Sequence, residues 1–162
     1  MSVICGNKLK DFVQGIKDNV QFQPAGIDLT LSKVMQFTDS GVVDFDNKNR
    51  KLSNVVELEF SDEGKIYLPK GAYKIVYNEI VKVPLNSIAL GFPRSSLLRC
   101  GATIECAVWD SGYEGRSESL LLVENDHGIT LYKDARILQL VFFETRGVVE
   151  KGYSGIYKGE NI

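Results

Sequence analysis

The sequence predicts a mainly β protein, a jelly-roll-like β-sandwich with one short helix at its N-terminus. Two observations carry this. From Pro24 onward apolar and polar residues alternate in short runs, the signature of half-buried strands. Between the runs stand turn clusters at regular spacing: DSG (39–41), DNKN (46–49), DEG (62–64), PKG (69–71) and PLN (84–86). The chain of 162 residues, 44% hydrophobic and 25% charged, has an ordinary globular composition. A chain of that length buries roughly 70% of its unfolded surface without a metal or disulfide, so residues 1–151 are read as one domain and 152–162 as a tail.

Residues 7–18 place Leu9, Phe12, Val13 and Ile16 at helical spacing, with Lys8, Lys10 and Asp11 on the other face, which predicts an amphipathic helix. Strands follow in IDLTLSKV, VVELEF, KIYLP, AYKIVY, IVKVP and SIALGF. The polar stretch from Val42 to Asn54 reads as a long hairpin tip. SLLLVE (119–124) and RILQLVFFE (136–144) are nearly continuous apolar runs, as expected of central strands covered on both faces. The chain closes with GYSGIYKGENI, too Gly-rich for a core, and read either as a frayed end or as a mobile lid.

Composition excludes several functions. With 19 Lys and Arg against 21 Asp and Glu, the net charge of −2 offers no counterion-release term for nucleic acid. Cys5, Cys100 and Cys106 are odd in number and lack CxxC spacing, and with His127 as sole histidine they form no zinc site. Such cysteines suit a reducing, cytoplasmic setting. No apolar stretch has the length of a membrane span, so no membrane partner is expected. Walker, GxSxG and HExxH motifs are missing, as is the HxE plus PCxxC pattern of zinc deaminases.

Two segments can carry chemistry. In GFPRSSLLRCG (91–101), Pro93 ends a strand and a helical turn follows. Ser95 or Ser96 either caps that turn or, with Arg94, helps hold a phosphate. In ECAVWDSGYEGR (105–116), Asp110 either closes an Asx-turn or serves as general base for a water, with the flat face of Tyr113 nearby for a sugar. Asp28 sits just inside a strand, where Asp is depleted, and Gln139 interrupts an apolar strand. A buried amide there would need a partner, either a backbone group or a ligand. His127, in a turn, is read as a solvated loop residue.

The order AGIDL, PRSSLLRCG, VWDSGYEGR, DARILQLVF and a GYSGIYKGEN tail resembles the dUTPase and dCTP deaminase superfamily, and looks most like the archaeal-type dUTPases. The resemblance runs from about Gln23 to the C-terminus. It implies a trimeric β-clip enzyme that hydrolyses dUTP to dUMP and diphosphate with Mg²⁺. It further implies that Asp110 activates the attacking water and that Tyr113 packs on deoxyribose. Arg94, Ser95, Ser96 and Gln139 would serve the phosphates, and Asp28 the metal, through water. The hairpin Ile104–Val108, with Ala107, would read the pyrimidine, and the tail, with Tyr153 and Lys158, would close over the nucleotide. The apolar strand Ser119–Glu124 agrees with a homotrimer that buries it between subunits.

The tail departs from the RGxGGFG ending of common trimeric dUTPases and is similar to the YxGxYQG ending of the deaminases, and Arg99 matches an arginine in the deaminase SSLAR motif. The deaminases, however, carry a glutamate three residues before an Asn. Counting back from Asn125 gives Leu122, with Glu118 and Glu124 out of register unless the strand is bulged. The leading expectation is therefore a dUTP diphosphatase. A dCTP deaminase or bifunctional enzyme is the alternative, and a non-catalytic nucleotide- or partner-binding sandwich the second.

Overall fold

Antiparallel strands form the framework of the computed structural model, which describes residues 2–162. In chain order they are β1 (Ser2–Val3), β2 (Val13–Gln14), β3 (Phe22–Gln23), β4 (Gly26–Phe37), β5 (Val55–Leu58), β6 (Lys65–Leu68) and β7 (Gly71–Tyr77). Then come β8 (Ile80–Lys82), β9 (Ser87–Pro93), helix α1 (Ser95–Arg99), β10 (Ala102–Glu105) and β11 (Glu114–Gly115). The last are β12 (Glu118–Val123), β13 (Ile129–Tyr132) and β14 (Arg136–Glu144). A nine-stranded sheet follows the path β1-β14-β4-β7-β12-β10, with β3 and β5 also on β4 and β9 on β14. Smaller sheets, β11-β8-β2 and β13-β6, accompany it.

The alternating runs become strands because each has an apolar face to bury. Gly26–Leu31 of β4 is buried throughout, and Ile27, Leu29 and Leu31 join Ile75, Tyr77, Leu121, Leu138, Leu140 and Phe142 in one core. β12 differs from the expectation of cover on both faces: Ser119, Leu121 and Val123 are buried, while Glu118, Leu120 and Leu122 remain half-exposed in a single chain. Among the described residues, no helix is long and apolar enough to cross a membrane.

The N-terminal segment corrects the helix expected over residues 7–18. One 3₁₀ turn covers Gly6–Lys8, and the chain is extended again at β2. Successive i→i+3 bonds, Leu9 N–H to Gly6 O and Phe12 N–H to Leu9 O, both at 3.0 Å, give the three-residue spacing that imitates a helix. The Phe12 carbonyl then accepts from Lys82 N–H at 2.7 Å, so the backbone pairs with β8 instead of with itself. Leu9 and Val13 are buried, and Phe12 packs edge-on against Phe142 with ring centres 5.4 Å apart. Tertiary burial satisfies the apolar spacing without a helix.

Candidate active site

Two groups of side chains stand out. The first surrounds Asp28. β4 and β14 pair so that Asp28 lies directly opposite Gln139, which puts both side chains on one face. The Asp28 carboxylate is 1% exposed, and its Oδ2 receives Arg94 Nε and Arg136 Nη1, both at 3.2 Å. Burial raises the Asp28 pKa while the two guanidiniums pull it down. One carboxylate shared by two arginines leaves an excess positive charge, and both guanidiniums remain partly exposed, with Ser95 and Ser96 following Arg94 directly in the chain. Such an arrangement suits an anion with several oxygens.

The serines do not cap α1. Arg94 is the residue at the N-cap, without a side-chain bond, and Ser95 and Ser96 are the first helical residues with exposed side chains. Their hydroxyls are therefore available to a ligand. Gln139 is half-exposed, so its amide is not the fully buried group that its apolar surroundings suggested.

The second group lines a cavity of about 630 Å³. Ala107, Val108, Trp109, Asp110 and Tyr113 form one side, β12 and Lys74 another, and the tail a third. Trp109 is fixed by a reciprocal backbone pair with Ala89 of β9, at 2.9 and 3.0 Å, and its ring crosses over Gly91, where a Cβ would approach it to 3.0 Å. The turn after it is closed by the backbone, Tyr113 N–H donating to Asp110 O at 3.0 Å, and Ser111 Oγ donates to Ser87 O at 2.6 Å. Asp110 itself is exposed at the cavity wall, and Tyr113 is buried.

Gly112 has φ +81°, and a Cβ there would meet Gly152 Cα at 2.9 Å. Glycine is thus required twice, for the left-handed turn and for the approach of the tail. Tyr153 N–H donates to Ser111 O at 2.7 Å, and the Tyr153 ring meets Tyr113 edge-on with centres 5.9 Å apart. Tyr113 Oη donates to Glu160 Oε1 at 2.7 Å. Burial, then the Glu160 contact, raises the Tyr113 pKa, and burial raises that of Glu160. Arg116 clasps the chain end, its N–H on Glu160 O and its Nη1 on Asn161 O.

A family model described as dCTP deaminase-like matches residues 8–145. The chain belongs to that family. It is 49% identical to the probable deoxyuridine 5'-triphosphate nucleotidohydrolase of Methanosarcina barkeri, over 99% of each chain. It is 45% identical to the deoxyuridine 5'-triphosphate nucleotidohydrolase of Methanocaldococcus jannaschii, over 97% of this chain and 99% of the relative. The fold is shared with the 2'-deoxycytidine 5'-triphosphate deaminase of Agrobacterium tumefaciens, at TM-score 0.66 and 18% identity, over 86% of this chain and 47% of the deaminase. It is also shared with the EIAV dUTPase, at TM-score 0.55 and 17% identity, over 90% and 97%.

Within this member of the dCTP deaminase-like family, Asp110, Tyr113, Ala107 and Tyr153 share the cavity. Asp28, Arg94, Ser95, Ser96 and Gln139 do not line it, and Lys158 is exposed outside it. Sequence reading passed over Arg136, whose only signal was a charge at the start of an apolar strand. It also passed over Glu160, which nothing local marks. Glu118 lines the cavity and pairs with Lys74 at 2.9 Å. Among the described residues no three His, Cys, Asp or Glu gather to hold a metal. A magnesium ion carried by substrate phosphates needs no such cage.

Proposed function

We propose that this chain hydrolyses dUTP to dUMP and diphosphate. The observation that carries the reading is Asp110: an exposed carboxylate at the wall of a cavity with room for a nucleoside, beside a buried tyrosine, in a turn that the backbone already closes. The archaeal relatives at 45–49% identity, which carry the name of this activity, support it.

Asp110 takes a proton from water as the water oxygen attacks the α-phosphorus. The bond from that phosphorus to the bridging oxygen breaks, and diphosphate leaves with the electron pair. Tyr113 packs on the deoxyribose, and the backbone around Ala107 reads the pyrimidine edge. Arg94, Arg136, Ser95, Ser96 and Gln139 hold the phosphate chain in line. Mg²⁺ carried by the triphosphate would supply charge neutralisation there. Asp28 is a positioning residue that orients the two arginines, so its influence on the metal is indirect.

In one chain the arginine group and the Asp110 cavity are distinct, so a homotrimer with sites between subunits completes the arrangement. The tail, with Tyr153 and Lys158, acts as a lid that excludes water. By removing dUTP, such a cytoplasmic enzyme limits uracil in DNA, and its product supplies dUMP for thymidylate.

The deaminase reading is weaker on a structural ground. β12 pairs with β7 without a register shift from Glu118 to Val123. No bulge moves Glu118 to the place of Leu122, which lies four residues further along, about 13 Å in a strand. The deciding experiment incubates the protein separately with dUTP, dCTP and dTTP plus Mg²⁺. Diphosphate and dUMP from dUTP alone are expected. Ammonia from dCTP would favour the deaminase, and no product from any of them would overturn the enzymatic reading.

A further inference from the structure

The hairpin arm between β4 and β5 lies outside every motif that the reaction uses, yet it borders the same cavity as Asp110. Phe37, Gly41, Val43, Lys51, Leu52 and Ser53 all line it. The arm is held in shape along its length. Val42 and Lys51 exchange backbone bonds at 2.8 and 2.9 Å, and Thr38 N–H donates to Asn54 O at 2.9 Å. Asp39 accepts from Asn54 N–H at 2.6 Å and Asn54 Nδ2 at 2.9 Å, and Asp44 accepts from Asn49 N–H at 2.8 Å.

We infer that this arm is a wall of the substrate site, with Val43 and Leu52 as the residues that grip the nucleoside. The inference rests on the dUTP reading above and names its further contacts. Val43 is 85% and Leu52 56% exposed, although both face a cavity. The bridge of Val42 to Lys51 sets Gly41 opposite Leu52, so that Val43, Gly41 and Leu52 fall on one face of the arm. Two large apolar side chains left bare on one face of a polar hairpin have surface to bury against a ligand.

Charge identifies which part of the nucleotide they meet. Lys51, the cation of the arm in this cavity, is paired with Asp39 at 3.0 Å, so the wall has no unpaired charge to offer a triphosphate. The excess positive charge sits with Arg94 and Arg136, which do not line the cavity. The arm therefore contacts the pyrimidine and deoxyribose, and it binds substrate and transition state alike.

The test compares a Val43→Ser/Leu52→Ser double variant with wild type and with Phe45→Ser. Phe45 is fully exposed on the same arm but does not line the cavity. Because exposed side chains are replaced, melting should not move. KM for dUTP should rise about tenfold with kcat within twofold, as expected when apolar contacts that are uniform along the reaction are lost. The emission of Trp109, the sole tryptophan and part of the cavity, reports binding directly. Affinity for dUMP should fall by the same factor as for dUTP, since the phosphate chain is not involved, and Phe45→Ser should leave both unchanged.

An active double variant with unchanged KM and dUMP affinity would overturn the role of the arm and leave the dUTP reading intact. A loss seen for dUTP but not dUMP, or equally in Phe45→Ser, or together with a change of oligomeric mass, would also overturn it. A wild-type protein that neither hydrolyses dUTP nor binds dUMP would overturn the functional reading itself and the arm's role with it.

Discussion

The Tyr113 hydroxyl donates to Glu160 Oε1 at 2.7 Å, which joins the aromatic wall of the cavity to the end of the chain. Around this bond the tail covers the site without adding a core of its own. The ring is buried and the acid half-buried, and burial raises the Glu160 pKa. A carboxyl whose folded value lies above its unfolded one stabilises the docked tail fully below the ordinary glutamate range. That contribution fades as pH rises through the raised folded value. Hydrogen exchange of residues 152–162 should therefore be slower at mildly acidic pH than at pH 8, and Glu160→Gln should flatten the dependence. Exchange that slows with rising pH, after correction for the intrinsic rate, would contradict this.

Removal of Gly152 to Ile162 tests the lid. The described core clusters contain only a peripheral Tyr153 from this segment. The melting temperature should stay within a few degrees, while turnover of dUTP falls by orders of magnitude as water enters the site. A fully active truncated protein would remove the lid from the mechanism.

Asp110→Asn keeps the size of the side chain, and the backbone still closes the turn. Stability should hardly change because the residue is exposed. Hydrolysis of dUTP should drop by at least about 10²-fold, since an amide cannot take the proton from water. Binding of a non-hydrolysable dUTP analogue with Mg²⁺ should persist, which equilibrium titration would show. A near-normal rate would reduce Asp110 to a turn residue.

Glu79 carries a different load. Its carboxylate is fully buried and accepts from Gln21 Nε2 at 2.8 Å, Thr30 N–H at 2.8 Å and Thr30 Oγ1 at 2.6 Å. Gln21 also donates to Asp28 O at 2.9 Å, so the group supports the strand that presents Asp28. Glu79→Ala leaves those donors without partners and should cost about 3 kcal/mol in denaturant unfolding. A loss below about 1 kcal/mol would show that water or rearrangement satisfies them.

The homotrimer has a direct measurement. Light scattering should give three times the chain mass of 18.1 kDa. A monomer at micromolar concentration, still active on dUTP, would show that one chain assembles the site alone.

The strands and the separate chemical segments are legible in the local residue pattern. Alternation along Ile27–Val34 or Ser87–Phe92 is a local property, because a strand exposes opposite faces at successive residues. The turn at Asp110-Ser111-Gly112 was likewise written in its residues, since few others accept the left-handed φ. Order along the chain was enough to indicate the family. The relations between distant segments, by contrast, arise from packing. Residues 7–18 have helical spacing, yet β8 offers their backbone a partner and the core takes Leu9 and Val13 without a helix. Arg136 meets Asp28 because a bulged pairing of β4 with β14 brings residues 108 positions apart within 3.2 Å. Glu160 reaches Tyr113, and Val43 reaches the cavity of Asp110, by the same kind of closure. Periodicity encodes which face of an element seeks burial, but the partner on that face is selected by global packing, in which every contact competes with all others for the same surface.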